Sequence, residues 1–161
     1  MRDLLPSSSN DPRWAETWNE LGQGAPTLGG LARVCSSSVA NPPAQIAPLS
    51  PEARAILFAA RHRGLLEVKG ANRAYDAPGR MLAVYIDLGG DRTLILRSRE
   101  EPLVTIRFLS AFRELCAAGY VMHHIYHEFS LTMPGLAVAL EVPASEAEPL
   151  LALGTELGQF E

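Results

Sequence analysis

Lysine is almost missing from this chain. Of 14 basic residues in 161, 13 are arginine and one, Lys69, is lysine, a bias expected of a GC-rich bacterial coding sequence. Cysteine is nearly as scarce. Cys35 and Cys116 lie 81 residues apart, a spacing that makes neither a disulfide framework nor a zinc motif and predicts two reduced thiols in the cytoplasm. Aromatic residues make up 7% of the chain against 47% hydrophobic residues, so the core is aliphatic, and that apolar share excludes a wholly disordered protein. Past the amino-terminal tail the longest uncharged run, Leu115 to His127, is far short of the ~20 apolar residues of a membrane span. The start offers two apolar residues before Pro6, too few for a secretory h-region of ~7–15. We therefore expect a cytoplasmic protein that makes no use of a membrane.

Several chemistries also lack their residues. There is no Gly-x-Ser-x-Gly elbow, no phosphate-binding glycine loop placed between a strand and a helix, and no His-Glu-x-x-His. Cys116 falls on an apolar helix stripe with nothing beside it to activate a thiolate. The expectation is a protein that is not an enzyme and carries no cofactor.

What is present divides the chain in three. Residues 1–50 hold seven of the 11 serines and six of the 12 prolines, residues 51–113 carry 11 basic and seven acidic side chains, and residues 114–161 have seven acids and no Lys or Arg. The first segment, 1–49, reads as a mostly flexible Ser/Pro-rich tail. Within it a short helix is predicted over 11–21, with Asp11 as cap, Pro12 in the first turn and Gly22 as stop. Both tryptophans lie there, and Trp14, Trp18 and Leu21 recur at i, i+4 and i+7 on one face. So short a helix is marginal alone in water, so these three residues are the candidate contact for a partner protein or for the protein's own domain.

Residues 50–161 read as a single α+β domain, a small antiparallel sheet with helices packed on one face. Ser50-Pro51-Glu52 opens a helix that Gly64 ends. Leu82 to Leu88 and Arg92 to Arg97 flank a Gly89-Gly90-Asp91 turn and form a hairpin. A helix follows from Leu103 to Ala118, with Gly119 as stop. Tyr120 to Leu131 alternates as one long strand. Leu136 to Val142 fits a returning strand or a helix capped by Thr132. Ser145-x-x-Glu148 is a capping box that predicts a last helix reaching Leu157.

Leu115-x3-Gly119-Tyr-Val121, then Phe129-Ser-Leu-Thr132-x2-Gly135-x3-Ala139, resembles the closing part of bacterial winged-helix domains. In those, a helix stops at glycine, a wing hairpin follows, and a Leu-Thr-x-x-Gly-x-x-x-Ala sequence opens the last helix. The resemblance spans about residues 115–139 and implies, as the alternative to the plain α+β sheet, a winged-helix-like regulator that binds nucleic acid. The chain departs from it in two places. The eleven residues between Gly119 and Leu131 include no Gly, Pro, Asn or Asp to turn a wing, and a hairpin precedes the helix where a helix-turn-helix needs another helix.

Two clusters remain. Arg61, Arg63, Arg97 and Arg99 are the candidate phosphate contacts under the nucleic-acid alternative. They could equally be neutralised by the acidic end of the chain. His123, His124 and His127 suggest a pH-sensing or metal site. On a straight strand His123 and His127 share a face about 13 Å apart at ~3.3 Å per residue, which is too far for one ion. The leading expectation is a non-enzymatic interaction or regulatory module acting through its tail helix on a protein partner or by self-association. A nucleic-acid regulator comes second, and a His-cluster metal protein or enzyme third.

Overall fold

The structure is a computed structural model that describes residues 25–71 and 74–158. Trp14, Trp18, Leu21 and the expected helix at 11–21 lie outside the described residues. The first described element is helix α1 (Ala25–Ala40), followed by α2 (Pro51–Ala60), strand β1 (Leu65–Lys69), the short α3 (Ala77–Arg80), and strands β2 (Ala83–Gly89) and β3 (Arg92–Ile95). Then come α4 (Pro102–Ala118), β4 (Val121–His123), β5 (Glu128–Leu131), α5 (Met133–Glu141), α6 (Ala144–Leu151) and β6 (Thr155–Leu157). The six strands form one antiparallel sheet in the order β4-β5-β1-β2-β3-β6. With the helices packed on its inner face, this is the expected α+β class. No described helix is long and apolar enough to cross a membrane.

Alternation divides the sheet. Leu66, Val68, Val84, Ile86, Leu94 and Phe129 point inward and are buried. They meet Ile56 and Leu57 of α2 and Phe108, Phe112 and Leu115 of α4. The Phe112 and Phe129 rings pack edge-on with centroids 4.9 Å apart, which adds about 0.5–1.5 kcal/mol beyond their area burial. Local signals set the element ends. Ser50 Oγ accepts from Ala53 N and donates to Glu114 Oε2 at 2.6 Å, tying the start of α2 to α4. The β2–β3 hairpin turns through Gly89, Gly90 and Asp91, all at positive φ, the conformation that favours Gly and Asp. Gly119 ends α4 at φ 75°.

Three expectations need correction, and one open alternative is decided. Residues 25–40 are not flexible tail. Leu28, Leu31 and Cys35 recur at i, i+3 and i+7 and are buried in the core, while Ser36 and Ser37 face water. Polar residues on the outer side hid an ordinary amphipathic helix. Nor is Tyr120 to Leu131 one strand. It folds into the β4–β5 hairpin, turning at Tyr126 in the left-handed region (φ 51°). Backbone bonds from His124 N to Glu128 O and from Glu128 N to Ile125 O close the loop. Of the two readings of 136–142 the Thr132-capped helix is the one formed: α5 runs to Glu141, with Val142 at its end in an extended conformation. Finally, the Ser145 capping box is not used. α6 starts after Pro143 without a side-chain cap and stops at Leu151, so Thr155–Leu157 can pair with β3.

Candidate functional site

Helix α4 has two faces of opposite fate. Val104, Phe108, Ala111, Phe112, Leu115 and Cys116 face the core and are buried. The outer stripe holds Leu103, Ile106, Arg107, Ser110, Arg113 and Ala117, all exposed. Leu103 is 63% exposed and Ile106 49%. Three and four residues apart, these side chains share one surface, with an aliphatic patch toward the start of the helix and two guanidinium groups beside and beyond it.

The end of α4 is fixed to the start of α5 by four residues. Thr132 Oγ1 caps α5 by accepting from Gly135 N at 3.1 Å and donates to Gly119 O at 2.7 Å. Thr132 N donates to Tyr120 O. Gly135 lies against the Tyr120 carbonyl so closely that no Cβ fits. This knot orients the β4–β5 hairpin, whose tip exposes Ile125 and Tyr126.

α1 lies beside α4 and runs in the same direction. Ser38 O comes within 3.1 Å of where a Cβ on Gly119 would stand, and three residues earlier Cys35 meets Cys116. Hydrogen bonding with the Cys35 side chain, then burial, pushes the Cys116 thiol far above its ordinary value. Both thiols are free and buried, and Cys116 stays protonated at neutral pH. The sequence separation of these two cysteines concealed their contact, because the spacing rules for thiols describe disulfide frameworks and metal sites.

The histidines do not converge. His123 Nε2 donates to Tyr126 O at 2.7 Å, His124 Nε2 pairs with Ser130 Oγ at 2.7 Å, and His127 Nε2 lies 3.0 Å from Glu67 Oε2. Among the described residues, no three His, Cys, Asp or Glu side chains stand together to hold a metal ion. His123 instead helps to make the glycine-free turn, bonding the carbonyl of the left-handed Tyr126. His124 and Glu128 line a groove of about 480 Å³ on the outer sheet face with Leu65, Glu67, Tyr85 and Asp87. There Glu67 Oε2 pairs with Lys69 Nζ at 2.8 Å and lies beside the His127 ring.

The four candidate arginines also separate. Arg61 donates to Phe58 O and stacks on the Phe58 ring. Arg63 faces Asp87 near the β2–β3 turn. Arg97 is buried at the other end of that hairpin, donating to Tyr85 Oη and Met81 O. Arg99 is exposed beyond it. They form two pairs at opposite ends of a hairpin and not one phosphate-binding patch. Other arginines are neutralised by the acidic end of the chain, as the charge split suggested: Arg54 pairs with Glu146 at 2.8 Å and Arg92 with Glu156 at 2.6 Å. The outer α4 stripe, including Arg107 and Arg113, was not singled out from the sequence. The signal was available, since Leu103 and Ile106 do not fit the buried stripe of their own helix.

Compared with known proteins, the chain matches no family model, no curated protein and no solved structure.

Proposed function

We propose that this protein is a non-enzymatic regulatory module whose contact surface is the outer stripe of α4, and that the segment bearing Trp14, Trp18 and Leu21 docks there on its own domain. The observation that carries this reading is the exposure of Leu103 and Ile106 on a helix whose other face is locked into the core. The parallel course of α1 and α4 supplies the geometry. Cys35 meets Cys116 and Ser38 meets Gly119, contacts at one offset that lay the later turns of the two helices side by side. Leu21 is four residues before Ala25, within roughly 14 Å of extended chain. An apolar i, i+4, i+7 face would cover the aliphatic patch, and Glu16 and Glu20 of the same segment complement Arg107 and Arg113. A protein partner with an apolar groove and acidic rim would compete for this surface.

Because Trp14 and Trp18 are the only tryptophans, their fluorescence reads the docking directly. The double substitution Leu103→Ser, Ile106→Ser should move the emission of the full chain to the red and raise its quenching by iodide. Unchanged emission and quenching would refute docking on α4.

A second reading, a winged-helix-like nucleic-acid binder, is favoured by one observation. The Thr132-x2-Gly135-x3-Ala139 sequence does open a helix, and a hairpin precedes it. In that reading Arg107 and Arg113 contact phosphates and the exposed hairpin tip acts as the wing. It predicts binding to duplex DNA at ~50 mM salt that weakens steeply as salt rises and is reduced by Arg107→Ala and Arg113→Ala. No binding at low salt would end it.

A further inference from the structure

Arginine pairing in this protein runs opposite to desolvation. Half-buried Arg54 and exposed Arg63 and Arg92 each face a carboxylate. Arg97, at 9% exposure the one buried charged residue among the described residues, faces none among them. Its Nη1 donates to Tyr85 Oη at 3.1 Å and its Nη2 to Met81 O at 3.0 Å, both neutral acceptors, and the guanidinium lies 5.5 Å from the Tyr85 ring centroid. Nε is buried with no partner among the described residues. A guanidinium is always charged, and withdrawing it from water without a counter-charge is costly. The described residues hold Arg97 in place with a hydroxyl and a carbonyl and offer no carboxylate to its charge.

The side chain lines a groove of about 560 Å³ where the end of β3 meets β6. Arg99, two residues further on, lines the same groove, as do Ser98 and Thr155. The rest of the lining is apolar Ile95, Leu153 and Leu157 together with the exposed Glu100. A carboxylate between Arg97 and Arg99 would supply the missing charge through charge-assisted hydrogen bonds, and an aliphatic body would lie on the leucines.

We propose that this groove binds a small organic acid, its carboxylate held by Arg97 and Arg99 and its hydrocarbon part covered by Ile95, Leu153 and Leu157. The site is separate from the outer stripe of α4 and does not depend on the docking of the amino-terminal segment.

The test is calorimetry on the full chain with octanoate, with octanamide as its uncharged analogue and inorganic phosphate as the anion without an apolar body, all at one ionic strength. The expected result is saturable, one-to-one binding of octanoate with a dissociation constant of about 1 mM or tighter. Octanamide and phosphate should each bind at least about tenfold more weakly, the loss expected for one charge-assisted bond. Arg99→Ala, a change at an exposed residue that leaves the fold intact, should weaken octanoate by about the same factor. Should Arg97→Gln fold, it should abolish binding. No saturation at about 10 mM octanoate, tenfold above the expected constant, overturns the proposal, as does equal binding of octanamide or an unaffected Arg99→Ala variant. Phosphate binding more tightly than octanoate overturns the assignment of an apolar body.

Discussion

The inner and outer faces of α4 both carry large apolar side chains, and only those of the inner face are buried. Inside, Phe108, Phe112 and Leu115 fill the space between the sheet and α2. Outside, Leu103 and Ile106 remain in water with Arg107 and Arg113 beside them. Apolar character alone therefore does not say where a side chain goes. What separates the faces is whether a neighbouring element reaches them. α1, α2 and the sheet cover the inner face, and no described element covers Leu103 and Ile106 on the outer one.

This comparison can be sharpened by substitution, beginning with the inner face. Phe112→Ala removes a buried ring and its edge-on contact with Phe129, and should lower unfolding free energy in urea by about 3–5 kcal/mol. Gly135→Ala drives a methyl group against the Tyr120 carbonyl. It should cost about 1–3 kcal/mol or more, and loosen the hairpin so that amide exchange at Glu128 and Leu131 accelerates. Thr132→Ala removes the cap of α5 and its bond to Gly119, for a loss of about 1 kcal/mol. On the outer face, Leu103→Ser with Ile106→Ser should change domain stability by no more than about 0.5 kcal/mol while shifting tryptophan emission. A loss as large as that of Phe112→Ala would show that the two faces are not distinct.

The sequence was most legible where a local chemical rule acts alone. The Ser50–Pro51 start of α2, the Gly89-Gly90-Asp91 turn and the Gly119 stop each follow from backbone geometry that few residues satisfy. It was least legible where the deciding partner is distant. α1 was obscured because Ser36, Ser37 and Pro26 dominate its composition, although Leu28, Leu31 and Cys35 carry its packing. The hairpin at 121–131 was missed because Tyr126 adopts a conformation usually left to glycine or asparagine, held by the ring of His123. The histidine and arginine clusters looked coherent only along the chain. In space each His ring has its own partner, and the arginines divide between the two ends of one hairpin. Nothing in the composition distinguished Arg97, which is buried, from Arg99, which is not.

The proposed docking lays the segment before Ala25 on the outer stripe of α4. Nuclear Overhauser contacts between the indole protons of Trp14 or Trp18 and the methyl groups of Leu103 or Ile106, measured on the full chain, are its sharpest test. Docking gives such contacts, and loses them in Leu103→Ser, Ile106→Ser. Indole resonances at the positions of free tryptophan, or contacts to the outer sheet face in place of α4, would contradict it.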